Sequence, residues 1–218
     1  MRPEAPKGFF FDLDGLLVDS ERIYFDGWKA GFEKTGIPFD QDFVKSFAGL
    51  SGPETKRLIM ERCHDEKIHD KIRQYREELV YERLAADQLP AKPYAAEALQ
   101  AIKAAGKITG IATSCPHERN EAILKHHDLK KWVDFKADSL DTKQFKPEPD
   151  LYNILLKKAG LKPDEVIAFE DSMSGYEAAH AAGIYTVLIP DRQEIDPEKL
   201  ENAEVAADLS VVLTILDQ

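Results

Sequence analysis

The most constraining feature of this chain is a short apolar run that ends abruptly in two acidic residues. Gly8–Phe11 reads GFFF, and Asp12-Leu13-Asp14-Gly15 follows at once. An unbroken apolar run of this length is typical of a strand that is buried on both faces of a parallel sheet. Two carboxylates beside such a strand are costly to desolvate unless positive charge balances them. Because open α/β sheets bind ligands beyond the carboxyl ends of their strands, we interpret Asp12 and Asp14 as a site for a cation.

The pattern after residue 93 predicts the rest of the fold. Strand-like runs alternate there with helix-like segments, which is typical of a doubly wound parallel sheet, a Rossmann-like α/β core. The predicted strands after the first are 108–112, 133–137, 166–169 and 185–189. Residues 20–92 carry only helical patterns and predict an inserted all-helical cap. The expected domains are therefore a catalytic core of residues 1–19 and 93–218 and a cap of residues 20–92.

Charge and composition narrow the expected partners. The net charge of −11 argues against nucleic acid or an anionic membrane as the main partner, because both require a basic surface. No apolar run approaches a membrane span, and MRPEAPK shows no signal-type stretch, so a cytoplasmic protein is expected. The two cysteines provide neither a disulfide framework nor zinc spacing. No obligate protein partner is evident, whereas a phosphorylated small molecule needs only local positive charge.

Three further features fall at predicted strand ends or helix starts. They are Thr113-Ser114 after the strand 108–112, Lys146 within FKPEPD, and Glu170-Asp171 after the strand 166–169. Each has a simple structural alternative: a helix cap, a solvated surface lysine, and a second helix cap. Together with Asp12 and Asp14, in this order and context, they indicate a functional site.

The segments FFFDLDGLLVDSE, IATS, KPEPD and AFEDSMSGYEAAHAAG together resemble the haloacid dehalogenase superfamily. The resemblance is to its beta-phosphoglucomutase-like phosphatase branch, and it covers essentially the whole chain. It implies that Asp12 attacks phosphorus to form an aspartyl-phosphate and that Asp14 serves as the acid and then the base. It also implies that Thr113 and the Ser114 N–H hold the transferring phosphoryl group, while Lys146 neutralises its charge.

The same resemblance implies a Mg²⁺ cofactor. The ion would be held by the Asp12 carboxylate, the Asp14 backbone carbonyl and Asp171, with Glu170 in support. Magnesium is normally bound by a few protein oxygens together with water and phosphate oxygens. Phosphoryl transfer mainly requires positioning and charge neutralisation, which a metal and a lysine supply. The implied substrate is a small phosphorylated metabolite, with sugar phosphates as the expected class.

Three rival functions stay open. A phosphohexose mutase of the same branch would carry a histidine and an arginine in its lid, where our alignment puts Tyr24 and Gly52; we therefore expect hydrolysis. Arg57, Arg73 or Arg76 could take over the arginine's role. A dehalogenase would need neither Mg²⁺ nor Asp14. A non-catalytic binding protein would usually have lost a motif residue, and none is missing here.

Other conspicuous residues are interpreted as structural. Nothing except proximity suggests a thiol nucleophile at Cys115 and His117. His64 and His69 lie in a strongly charged segment, so we expect both at the surface. Residues 48–53 match the lid loop that faces the substrate in the family.

Overall fold

The computed structural model describes residues 1–47, 50, 52–191 and 195–218. The chain forms two compact units. The core unit comprises Met1–Val18 and Ala91–Gln218, and the helical unit comprises Asp19–Pro90. Over the described part of the chain, no helix combines the length and the apolar character needed to cross a membrane.

The core unit is built on a parallel sheet whose strand order is β3-β2-β1-β4-β5-β6. The strands are β1 (Gly8–Phe11), β2 (Ile108–Ala112), β3 (Phe135–Ala137), β4 (Val166–Glu170), β5 (Tyr185–Leu188) and β6 (Ala203–Val205). The predicted doubly wound α/β fold is therefore confirmed. The helices are α1 (Glu21–Thr35), α2 (Gln41–Lys45), α3 (Gly52–Cys63), α4 (Glu66–Ala85), α5 (Ala95–Ala104), α6 (His117–His126), α7 (Asp150–Ala159), α8 (Met173–Ala181) and α9 (Ser210–Leu216).

Strand β1 lies at the centre of the sheet, as its sequence predicts. It pairs with β2 on one side and β4 on the other, and all three of its phenylalanines are fully buried. The Phe11 and Phe169 rings stack with their centroids 4.7 Å apart. The direction of strand succession reverses at β1, so the carboxyl ends of β1 and β4 border the position where doubly wound sheets bind ligands.

The helical unit has an apolar core of its own. Trp28 and Phe32 of α1 are buried together with Ile59 of α3 and Ile72 of α4. Burial of large apolar and aromatic side chains is what stabilises short helices that would be marginal alone. The expected helical insertion is thus present, with α1 to α4 in this unit.

Two details differ from the sequence-based predictions. Strand β6 was not predicted, because Ala203–Val205 is only three residues long and has no apolar run. The surface position expected for His69 is wrong, since this residue is 1% exposed within the helical unit. Of the predicted lid loop, residues 48, 49 and 51 lie outside the described residues.

Candidate active site

Asp12 is a buried carboxylate at the carboxyl end of β1. Its backbone N–H still donates to Phe169 O of β4 at 3.0 Å, which fixes the residue against the neighbouring strand. Its side chain pairs with the ammonium of Lys146. Both residues are 7% exposed, which excludes the alternative of a solvated surface lysine at Lys146.

Lys146 links the ends of two adjacent strands. Its Nζ atom lies 2.6 Å from Glu170 Oε1 as well as contacting Asp12. Glu170 is fully buried at the end of β4, and the Tyr152 hydroxyl donates to the same Oε1 atom. Glu170 Oε2 has no hydrogen-bond partner among the described residues. A buried carboxylate oxygen without a partner is costly, so this atom has the capacity to hold a further cation.

Asp171 completes an acidic group with Asp12 and Glu170. One carboxylate oxygen from each residue lies within 4.8 Å of the others, a spacing that suits a shared metal ion. The helix cap expected as the alternative is supplied instead by Ser172, whose Oγ accepts from Gly175 N at 3.3 Å. The two carboxylates are therefore not needed to cap α8.

Two glycines make this crowding sterically possible. Gly15 has φ +83° and follows Asp14, and a Cβ there would lie closer than 3.0 Å to the Asp171 carboxylate. A Cβ on Gly175 would lie closer than 3.0 Å to the Glu170 carboxylate. Real Cβ atoms do not approach oxygens this closely. Glycine at these two positions therefore leaves the space that the Asp171 and Glu170 carboxylates occupy.

The electrostatics of the cluster follow from its burial. Burial raises the pKa of Asp12 to about 7, and the Glu170 and Asp14 carboxylates add to the rise against the lowering effect of Lys146. Burial likewise raises the pKa of Glu170. For Lys146, burial lowers the pKa, but the carboxylates of Asp12 and Glu170 outweigh it and hold the pKa above its ordinary value. Two buried carboxylates thus share a single lysine, and additional positive charge would stabilise their ionised forms.

Thr113 and Ser114 follow β2, the other neighbour of β1. Thr113 is 1% exposed; its N–H donates to Ala137 O at 3.0 Å, and its Oγ1 accepts from Cys115 N at 3.0 Å. Ser114 is exposed. Helix α6 begins only at His117, so neither hydroxyl residue caps it. The register Phe11–Ile111 puts this turn at the same sheet edge as Asp12.

Asp14 is half-buried and faces a cation that sequence reasoning missed. Arg119 Nη2 lies 3.5 Å from Asp14 Oδ2, and the guanidinium is almost fully buried. Tyr152, the partner of Glu170, was also missed. Both residues lie inside helices among ordinary helical neighbours, so neither carries a signal in the sequence. The four site carboxylates and the two site cations leave an excess of two negative charges when all are ionised.

Comparisons with known proteins identify the family and support the fold of this chain. A family model described as haloacid dehalogenase-like hydrolase matches residues 6–183. A phosphorylated carbohydrates phosphatase from Thermotoga maritima is 32% identical over 176 residues, covering 80% of each chain. The beta-phosphoglucomutase of Bacillus subtilis is 28% identical over 201 residues, covering 86% of this chain and 84% of its own. The crystal structure of CbbY from Rhodobacter sphaeroides in complex with phosphate has a TM-score of 0.80 at 22% identity, covering 98% and 100% of the chains, and supports the fold.

Proposed function

The chain belongs to the haloacid dehalogenase-like hydrolase family, and we propose that it is a Mg²⁺-dependent phosphatase that hydrolyses a small sugar phosphate through an aspartyl-phosphate on Asp12. The family and its phosphatase relatives establish an enzyme that hydrolyses phosphoric monoesters. The metal, the covalent intermediate, the roles of individual residues and the sugar phosphate substrate are our proposal, as is a cytoplasmic location.

The observation that carries the proposal is the pairing of Asp12 with Lys146 and Glu170 at the ends of β1 and β4. A carboxylate that is buried, held by one shared lysine and placed at the ligand-binding edge of the sheet is suited to attack an electrophile. The pKa of Asp12 is raised, so its carboxylate is stabilised when a proton or another cation neutralises its negative charge. An anionic phosphoryl group would bring still more negative charge, so it requires a cation in addition to Lys146.

The acidic group fits Mg²⁺. Its donors are carboxylate oxygens, which this ion prefers, and Glu170 Oε2 still has no hydrogen-bond partner within the described chain. We assign the Asp12 and Asp171 carboxylates and the Asp14 carbonyl as ligands, with Glu170 in support. When bound, Mg²⁺ supplies neutralisation of the phosphoryl oxygens.

The reaction consists of two successive displacements at phosphorus, and each site residue has a separate role in them. Asp12 attacks phosphorus as the ester P–O bond breaks, and Asp14 gives its proton to the leaving oxygen. In the second step a water oxygen bonds to phosphorus, the Asp12–phosphorus bond breaks, and Asp14 takes the water's proton. Thr113 and the Ser114 N–H hold the phosphoryl oxygens, and the Lys146 ammonium stabilises their charge throughout.

Phosphate release from a panel of sugar phosphates, with Mg²⁺ and with excess EDTA, tests this function and identifies the substrate. A p-nitrophenyl phosphate assay serves as the general probe. Mg²⁺-dependent release would exclude the dehalogenase and the non-catalytic alternatives. Phosphate release at an unchanged rate in excess EDTA would contradict the proposed requirement for Mg²⁺.

Replacing Asp171 by alanine is expected to raise the Mg²⁺ concentration for half-maximal activity by about tenfold or more. Loss of groups that merely orient metal ligands already costs that much, and Asp171 is assigned as a ligand itself. The exposed Asp164, changed to alanine, is the matched control. In a second readout, Mg²⁺ should raise the melting temperature of the wild type more than that of Asp171→Ala. Equal Mg²⁺ requirements in both variants would contradict the assignment.

A mutase is the second candidate, since one of the relatives is a beta-phosphoglucomutase. The helical unit gives little support for it. Gly52, the first residue of α3, offers no charge, and Tyr24 carries a phenol hydroxyl at the position where our alignment expects the histidine of the mutases. Arg57 pairs with Glu61 at 2.6 Å. Arg76 pairs with Glu77 and lies 5.2 Å from the Tyr24 ring centroid.

Hydrolysis is therefore expected to prevail over isomerisation. The protein would be incubated with beta-glucose 1-phosphate, Mg²⁺ and a trace of the 1,6-bisphosphate, and both free phosphate and glucose 6-phosphate would be followed. We expect free phosphate to form faster if this sugar is accepted. Glucose 6-phosphate appearing much faster than free phosphate would establish the mutase instead.

A further inference from the structure

Arg119 is a buried charge that the proposed reaction does not use. It lies on α6, is 4% exposed, and directs its guanidinium towards Asp14, with Nη2 3.5 Å from Oδ2. Its Nε donates to Cys115 Sγ at 2.9 Å. Burying a guanidinium is costly unless it is paired, so its position calls for an explanation. The pairing with Asp14 joins residues 105 positions apart in sequence.

The backbone around Asp14 is fixed by local hydrogen bonds. Gly15 N donates to Val18 O at 2.9 Å, and Asp14 and Val18 form a short parallel bridge. These contacts set the direction of the Asp14 carbonyl and involve only backbone atoms of Asp14. The orientation of its carboxylate is determined by side-chain contacts instead, among them the one with Arg119. A planar guanidinium held by helix α6 can restrict that rotation, because its donors point in fixed directions. A separation of 3.5 Å is longer than a tight hydrogen bond, so the contact guides the carboxylate without immobilising it.

We propose that Arg119 is a positioning residue that keeps the Asp14 carboxylate aimed at the leaving-group oxygen. This inference rests on the proposed function, in which Asp14 is the proton donor. Proton transfer requires the two heavy atoms to come within about 2.6–3.2 Å, so a carboxylate that rotates freely would spend much of its time misplaced.

The test uses two aryl phosphates of similar size that differ in how much they need a proton donor. Phenyl phosphate releases a phenol with a pKa near that of tyrosine, about 10, whereas p-nitrophenyl phosphate releases a much stronger acid. In Arg119→Met, we expect kcat/KM to fall about tenfold more for phenyl phosphate than for p-nitrophenyl phosphate. Equal losses on both substrates would indicate a purely structural role and overturn the proposal.

A double-mutant cycle with Asp14→Asn makes the test specific. If Arg119 acts through Asp14, Arg119→Met should cause little further loss of kcat/KM on phenyl phosphate when Asp14 is already asparagine. Additive losses would overturn the proposal. If the melting curve shows that Arg119→Met does not fold, the same cycle is carried out with Arg119→Lys, which retains the positive charge. Additivity in that cycle is then the criterion. A wild type that releases phosphate neither from these esters nor from the panel of sugar phosphates in Mg²⁺ would instead refute the proposed function, which separates the two failures.

Discussion

Asp12→Asn is expected to lose at least about a thousandfold in turnover while keeping its fold. Asparagine has the same shape as aspartate but lacks the nucleophilic oxygen that forms the acyl phosphate, and removal of a covalent nucleophile has effects of this size. The fold should persist because Lys146 keeps its contact with Glu170, 2.6 Å away. The substitution also removes one of two carboxylates that share that lysine.

The measurement is kcat on the preferred sugar phosphate and on p-nitrophenyl phosphate, with the melting temperature recorded in parallel. Asp164→Asn, which makes the same chemical change at an exposed position, should retain wild-type activity. Activity of Asp12→Asn within tenfold of the wild type would rule out Asp12 as the nucleophile.

Replacing Lys146 by methionine is expected to abolish turnover and to destabilise the fold by about 3–5 kcal/mol near neutral pH. Removing one partner of a buried ion pair leaves the other charge uncompensated, and here two carboxylates, Asp12 and Glu170, lose the same cation. Methionine has a similar length, so the loss of packing is small. The exposed Lys143, changed to methionine, is the matched control.

The destabilisation of Lys146→Met should shrink as the pH falls. The pKa values of Asp12 and Glu170 are already raised by burial, and removing the lysine raises them further. The folded state then binds protons more readily than the unfolded state, so the free-energy deficit is largest above these raised values and diminishes as the carboxyls become protonated. Urea unfolding in EDTA at several pH values measures this. A deficit that grows towards low pH would contradict the buried-pair account.

The fold could largely be predicted because its signals are local. Strand β1 is an unbroken apolar run, and glycines close the helices α1 and α7 in the left-handed conformation. Strand β6 could not be predicted, because its three residues are fixed by pairing with β5 rather than by their own pattern. His69 was misjudged for a similar reason: its neighbours are charged, but the helical unit buries its face of α4.

The site residues could be predicted where a polar or charged residue follows a recognisable strand. Site residues that lie inside helices could not. Asp12, Lys146 and Glu170 were all singled out in the sequence, and the structure brings them into contact. The supporting residues Tyr152 and Arg119 were not, because each reaches the site from the first turns of a helix. Nothing in a helical sequence distinguishes such a residue from one that faces solvent; only the tertiary structure determines which carboxylate it meets.

The most direct test of the central claim is to locate the phosphoryl group on the protein during turnover. The enzyme would be mixed with a sugar phosphate carrying radiolabelled phosphate and Mg²⁺, quenched in acid, digested and mapped. We predict a hydroxylamine-sensitive label, as expected for an acyl phosphate, on the peptide that contains Asp12, and none in Asp12→Asn. Label on another residue, or equal labelling of Asp12→Asn, would contradict the account.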